Sequence, residues 1–130
     1  MNAAPTVLII EDRLSLLDMY KVSLEKVGIM HVHLASTLVD AEKIFIENTS
    51  NGKKIDVILV DGSIHSHAGD PDTLPLIKKM RSCFTGPIIA ISGDEKSIRL
   101  MVEAGCNGAL KKPFLLKVLE EKVLELVQGK

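Results

Sequence analysis

With 130 residues, 46% of them hydrophobic, the chain suffices for one ordinary domain around a single core and leaves no room for a second. Its 16 basic and 17 acidic residues give a formal charge of -1, which excludes a broad electrostatic attraction to nucleic acid or an anionic membrane; 3% aromatic residues and no Trp exclude a base-stacking surface. No apolar run approaches the ~18 residues needed to cross a bilayer, and MNAAPT carries no basic segment followed by an apolar stretch, so the expectation is a soluble cytoplasmic domain.

Strand-like and helix-like patterns alternate along the chain. Residues 6–10 are a continuous apolar strand; Leu14, Leu17, Tyr20, Leu24 and Val27 follow at helical spacing until Gly28 stops the helix. Residues 29–34 form a second strand with His31 and His33 on one face, and Ser36 is the expected N-cap of a helix whose inner face carries Leu38, Ala41, Ile44 and Phe45. After the turn-rich NTSNG comes a third strand, 55–60, closed by Asp61, then the irregular GSIHSHAGDPDT. A helix over 74–83 leads through Gly86-Pro87 to a fourth strand, 88–91. Asp94 starts a helix with Ile98, Met101, Val102 and Ala104, which Gly105 terminates. Ala109 and Leu110 make a short fifth strand. A last helix over 114–127 turns Leu115, Val118, Leu119, Val123 and Leu126 inward and Lys117, Glu121, Lys122 and Glu125 outward.

Strands that are apolar throughout and separated by helices require a parallel sheet covered on both faces, here a doubly wound, five-stranded α/β sandwich over residues 1–130. Such folds place their site outside the carboxyl ends of the strands. Four groups fall there: Glu11-Asp12, Asp61, Ser92, and Lys112 before Pro113. Clustered carboxylates repel one another, and Mg2+, which prefers oxygen ligands, resolves this better than a shared proton. With an ammonium and a hydroxyl opposite, the set suits a phosphoryl group accepted by Asp61, the carboxylate acting as nucleophile while cation, lysine and hydroxyl neutralise the phosphoryl oxygens. Gly93 is expected to leave space for the incoming group. Cys83 and Cys106 lack CxxC spacing and read as reduced, semi-buried packing residues. His65 and His67 form an HxH near Asp61 but read as solvated loop residues.

These residues, in this order, resemble the response-regulator receiver domains of two-component signalling over nearly the whole chain, a flavodoxin-like (βα)5 fold. The resemblance implies that Glu11 and Asp12 are the metal-binding acidic pair, Asp61 the phosphoacceptor, Ser92 the hydroxyl residue, and Lys112 the lysine before a cis-proline. It also implies that the Ser63 carbonyl completes the metal site, that Gly69 ends the loop after the acceptor, and that Ser63 and Asp94 flank the path of the hydrolytic water. A phosphohistidine on a histidine kinase or histidine phosphotransfer protein would be the donor. The chain would be a phosphoacceptor switch rather than an enzyme, with slow self-dephosphorylation at most; ending after the last helix with no output domain, it would be either a stand-alone receiver or a piece cut from a longer regulator or hybrid kinase.

The chain departs from that family in three places. Ala109 stands where a Tyr or Phe usually couples the hydroxyl residue to the output face; Ile64-His65 replaces the usual Met-Pro; and DPDTLP adds residues before the third helix. The first two motivate an alternative from another class, a phosphorylation-independent interaction module. An aspartyl phosphohydrolase would typically carry a second Asp where Ser63 stands. In a flavodoxin-like cofactor binder, Glu11-Asp12 would repel the phosphate.

Overall fold

A computed structural model describes residues 4–64 and 70–128. Its strands are β1 (Thr6–Ile10), β2 (His31–Ala35), β3 (Val57–Asp61), β4 (Ile88–Ser92) and β5 (Gly108–Lys111). The helices are α1 (Leu14–Lys26), α2 (Leu38–Ser50), α3 (Leu74–Arg81), α4 (Glu95–Ala104) and α5 (Leu116–Gln128). All pairings are parallel, in the order β2-β1-β3-β4-β5. This is the doubly wound, flavodoxin-like sandwich expected, with its order reversing between β1 and β3.

The period of two along each strand divides the core into two layers. Leu8, Ile10, Ile58, Val60, Ile88 and Ala90 face Ala41 and Phe45 of α2, Ile77 and Met80 of α3, and Met101 and Ala104 of α4. Val7, Ile9, Val57, Leu59, Ile89 and Ile91 face Leu17, Tyr20 and Leu24 of α1 with Leu119 and Val123 of α5. Both faces of the central strands are thus dry, which is why their sequences are apolar without alternation.

At the amino edge of the sheet the Arg81 guanidinium donates to the carbonyls of Gly105, Phe84 and Gly86 and to Asn107 Oδ1, which also accepts from the Ile88 amide. Gly105, at φ 141°, ends α4 there, and a Cβ on it would lie 2.9 Å from Arg81 Cβ.

Local details differ from the sequence reading. Thr37, not Ser36, caps α2, its extended backbone aiming Oγ1 to accept from the Asp40 amide at 3.0 Å. Leu14, Val102, Leu115 and Val118 have helical spacing but stand exposed, Leu115 at 74%, because the sheet covers a narrower stripe of each helix than the periodicity offers. Leu115 also precedes α5, which begins at Leu116. Cys83 is exposed and only Cys106 is buried.

Candidate functional site

Three strands carry the site. Because Glu11 continues β1 with its amide donating to the Ala35 carbonyl, and Lys112 continues β5 with its amide donating to the Ser92 carbonyl, the alternation of each strand runs one residue past its end. Glu11 has the parity of Val7 and Ile9, Asp61 that of Val57 and Leu59, and Lys112 that of Leu110. All three therefore lie on the α1/α5 side of the carboxyl edge.

There the Lys112 ammonium lies 3.2 Å from Glu11 Oε1 and 3.1 Å from Asp61 Oδ2. Carboxylate oxygens of Glu11, Asp12 and Asp61 lie within 4.8 Å of one another, the one such cluster among the described residues able to hold a metal ion. Glu11 is buried at 1% exposure and also accepts from the Arg13 amide at 3.2 Å. Burial first, and Asp61 beside it second, push the Glu11 carboxyl up to about 7, against the opposing pull of Lys112 and the Arg13 amide. Burial alone would lower Lys112, but Asp61 and Glu11 outweigh it and hold the ammonium above its ordinary value.

Ser63 turns its amide toward Asp61 Oδ1 at 3.4 Å. Ser92, buried at the end of β4, is next to Ile91, the β4 partner of Asp61, and its Oγ accepts from the Asp94 amide at 3.2 Å. The five side chains singled out in the sequence, Glu11, Asp12, Asp61, Ser92 and Lys112, thus share the carboxyl edge. Ser92 is tied to the others through backbone rather than through its hydroxyl. A Cβ added at Gly93 would meet Lys112 only at 3.8 Å, an ordinary contact, so the surroundings of this residue are open. Asp94 caps α4 by accepting from the Ser97 amide and hydroxyl, which lower its pKa. His65, His67 and Gly69 lie outside the described residues.

Sequence reading missed the supports of the turn that follows β3. Ile64 is buried, and its amide donates to Asp72 Oδ1 at 2.7 Å; the Thr73 hydroxyl donates to the Gly62 carbonyl at 2.9 Å. Buried Pro71 packs near Gly62. Asp72 and Thr73 therefore brace the strand end that carries Asp61, and two polar side chains directly after a proline were the available signal.

Residues 7–124 match the response regulator receiver domain model. The chain belongs to that family. This receiver is similar in structure to a two-component response regulator from Clostridium difficile, with 26% identity over 95% of this chain and 96% of that one and a TM-score of 0.78. It is also similar to a response regulator from Thermotoga maritima, 26% identical over 97% and 99% of the two chains with a TM-score of 0.76. A CheY-like receiver domain protein from Methanospirillum hungatei JF-1 shares the fold, with 21% identity over 98% and 96% and a TM-score of 0.79. No curated protein matches significantly by sequence. Among the described residues of the receiver, no helix is long and apolar enough to cross a membrane.

Proposed function

We propose that this receiver accepts a phosphoryl group onto Asp61 in a Mg2+-dependent transfer from a phosphohistidine on a histidine kinase or histidine phosphotransfer protein, and signals by the resulting conformational change. The observation that carries this reading is the convergence of the Glu11, Asp12 and Asp61 carboxylates with the Lys112 ammonium at one strand edge. A hard, all-oxygen donor set fits Mg2+ better than a softer transition metal. A buried carboxyl pushed to about 7 is the kind of group that a divalent cation would return to its anionic form. Glu11, Asp12 and Asp61, with the Ser63 carbonyl, would hold the ion, whose chemistry is counter-charge for the carboxylates and the transferring phosphoryl oxygens.

Asp61 is the nucleophile: its oxygen forms the new O–P bond as the donor's N–P bond breaks, and the imidazole leaves with the bonding pair. Asp61 needs no separate base, because a carboxylate is already ionised. Lys112, in contact with Asp61 before transfer, would move its ammonium to a phosphoryl oxygen, and Ser92 would donate its hydroxyl to another. The chain is then a stoichiometric acceptor rather than an enzyme of repeated turnover, working where its donor works, in the cytoplasm.

The test is incubation with Mg2+ and carbamoyl phosphate followed by intact-mass measurement. One phosphoryl group is expected on the parent and none on Asp61→Asn. An unchanged parent mass excludes the reading. Ala109, half-buried and packed against the α2/α3/α4 core layer, supports one other reading, a partner-binding module indifferent to phosphate. That reading requires Asp61→Asn to bind its partner as the parent does.

A further inference from the structure

The Lys112 side chain is long and flexible, so holding its ammonium between two acids depends on what holds its backbone. On one side the backbone is tied, since the Lys112 amide donates to the Ser92 carbonyl at 2.8 Å. On the other side Pro113 has no N–H to offer, which leaves side-chain packing to secure the link into α5. Phe114 supplies that packing. Its ring stacks on Tyr20, with centroids 6.0 Å apart and planes inclined by 21°. Tyr20 is buried in the middle of α1 within the core layer shared by α1 and α5, and Phe114 packs against the same layer. Strand parity brings Glu11, Asp61 and Lys112 to this same side of the sheet edge. Tyr20 is near enough to register their charges: burial raises its phenol pKa, Lys112 opposes the rise, and Glu11 and Asp61 add to it.

We propose that Tyr20 is a positioning residue of the phosphoacceptor site, its ring holding Phe114 and thereby the backbone that aims the Lys112 ammonium at Asp61 and Glu11. The ring does the holding, so the hydroxyl is dispensable. The geometric part stands by itself; the effect on phosphorylation rests on the function proposed above.

The experiment uses the full chain and four variants: Tyr20→Phe, Tyr20→Leu, Phe114→Leu, and Ile77→Ala as a buried α3 control in the opposite core layer. The first readout is amide hydrogen exchange of Lys112 relative to Leu59 in the core, measured without phosphodonor. The second is the carbamoyl phosphate reaction rate at saturating Mg2+. An aromatic pair shifts an equilibrium by about two- to tenfold. Tyr20→Leu and Phe114→Leu are therefore expected to speed Lys112 exchange by about that factor beyond any change at Leu59, and to slow phosphorylation at saturating Mg2+. Tyr20→Phe should match the parent, and Ile77→Ala should move Lys112 and Leu59 together. If Lys112 and Leu59 also move together in the leucine variants, the proposal is overturned. Should Tyr20→Leu not fold, Phe114→Leu decides by the same exchange criterion. A parent that takes no phosphate defeats the proposed function, while the exchange readout still judges the positioning role.

Discussion

Glu11 and Lys112 sit 101 residues apart in the chain and 3.2 Å apart in space, and the pair sets the electrostatic character of the site. Glu11 is the more perturbed partner, because burial strips its solvation while Asp61 adds like charge. A carboxyl whose folded value of about 7 exceeds its ordinary 4.5 binds more protons in the folded chain than in the unfolded one between those limits. Its stabilising contribution is thus complete below about 4.5 and is lost as pH rises through about 7. In chelator, the parent should therefore lose stability across this window at up to about 1.4 kcal/mol per pH unit from this group. Glu11→Gln should flatten that slope, which urea unfolding at several pH values will measure. It should also weaken Mg2+ binding, because it removes one charge from the carboxylate cluster. An unchanged slope in the variant would remove Glu11 as its source.

At the scale of elements, helix starts and the turn after β3 are set by short polar contacts that compete locally. Ser36 and Thr37 are both competent caps by chemistry, and only Thr37 makes the contact to the Asp40 amide. Thr37→Ala should cost about 1 kcal/mol, whereas Ser36→Ala should change stability little. Chemical denaturation separates the two, and equal losses would contradict the assignment. Neither change should affect phosphorylation of Asp61, because α2 contributes no side chain to the site. The turn after β3 is different, since Asp72 and Thr73 hold the backbone at Ile64 and Gly62 next to Asp61. That brace joins the start of α3 to the end of β3.

Over the whole molecule, two core layers close on one sheet, and the acidic edge is where that packing meets charge repulsion. Ligand linkage converts this into a measurable stability. A cation that binds only the folded chain adds about 2.7 kcal/mol at a hundredfold excess over its Kd. Mg2+ should accordingly raise the melting temperature of the parent, and Asp61→Asn should show a smaller gain. If Mg2+ leaves the parent's melting temperature unchanged at millimolar concentration, the cluster is not a magnesium site in that range. The same scale accounts for the exposed Leu14, Val102 and Val118, since a sheet layer covers one stripe of each helix and the residues beside that stripe remain outside.

The five strands, the parallel sheet and the edge on which the functional side chains collect were legible in the amino-acid order. Buried parallel strands are read from short continuous apolar runs, and each site residue stands at the end of one or just beyond it, as Asp61 does after Val57–Val60. Tertiary structure alone decided that Glu11 lies against Lys112, that Thr37 rather than Ser36 caps α2, that Asp72 and Thr73 brace the turn after β3, and that Tyr20 meets Phe114. The reason is physical: periods of two and of 3.6 residues are properties of neighbouring backbone and appear in any stretch that obeys them. Contacts between residues from different elements depend instead on strand order, on which side of the sheet each helix packs, and on how both core layers fill, and none of these is carried by a local run of residues.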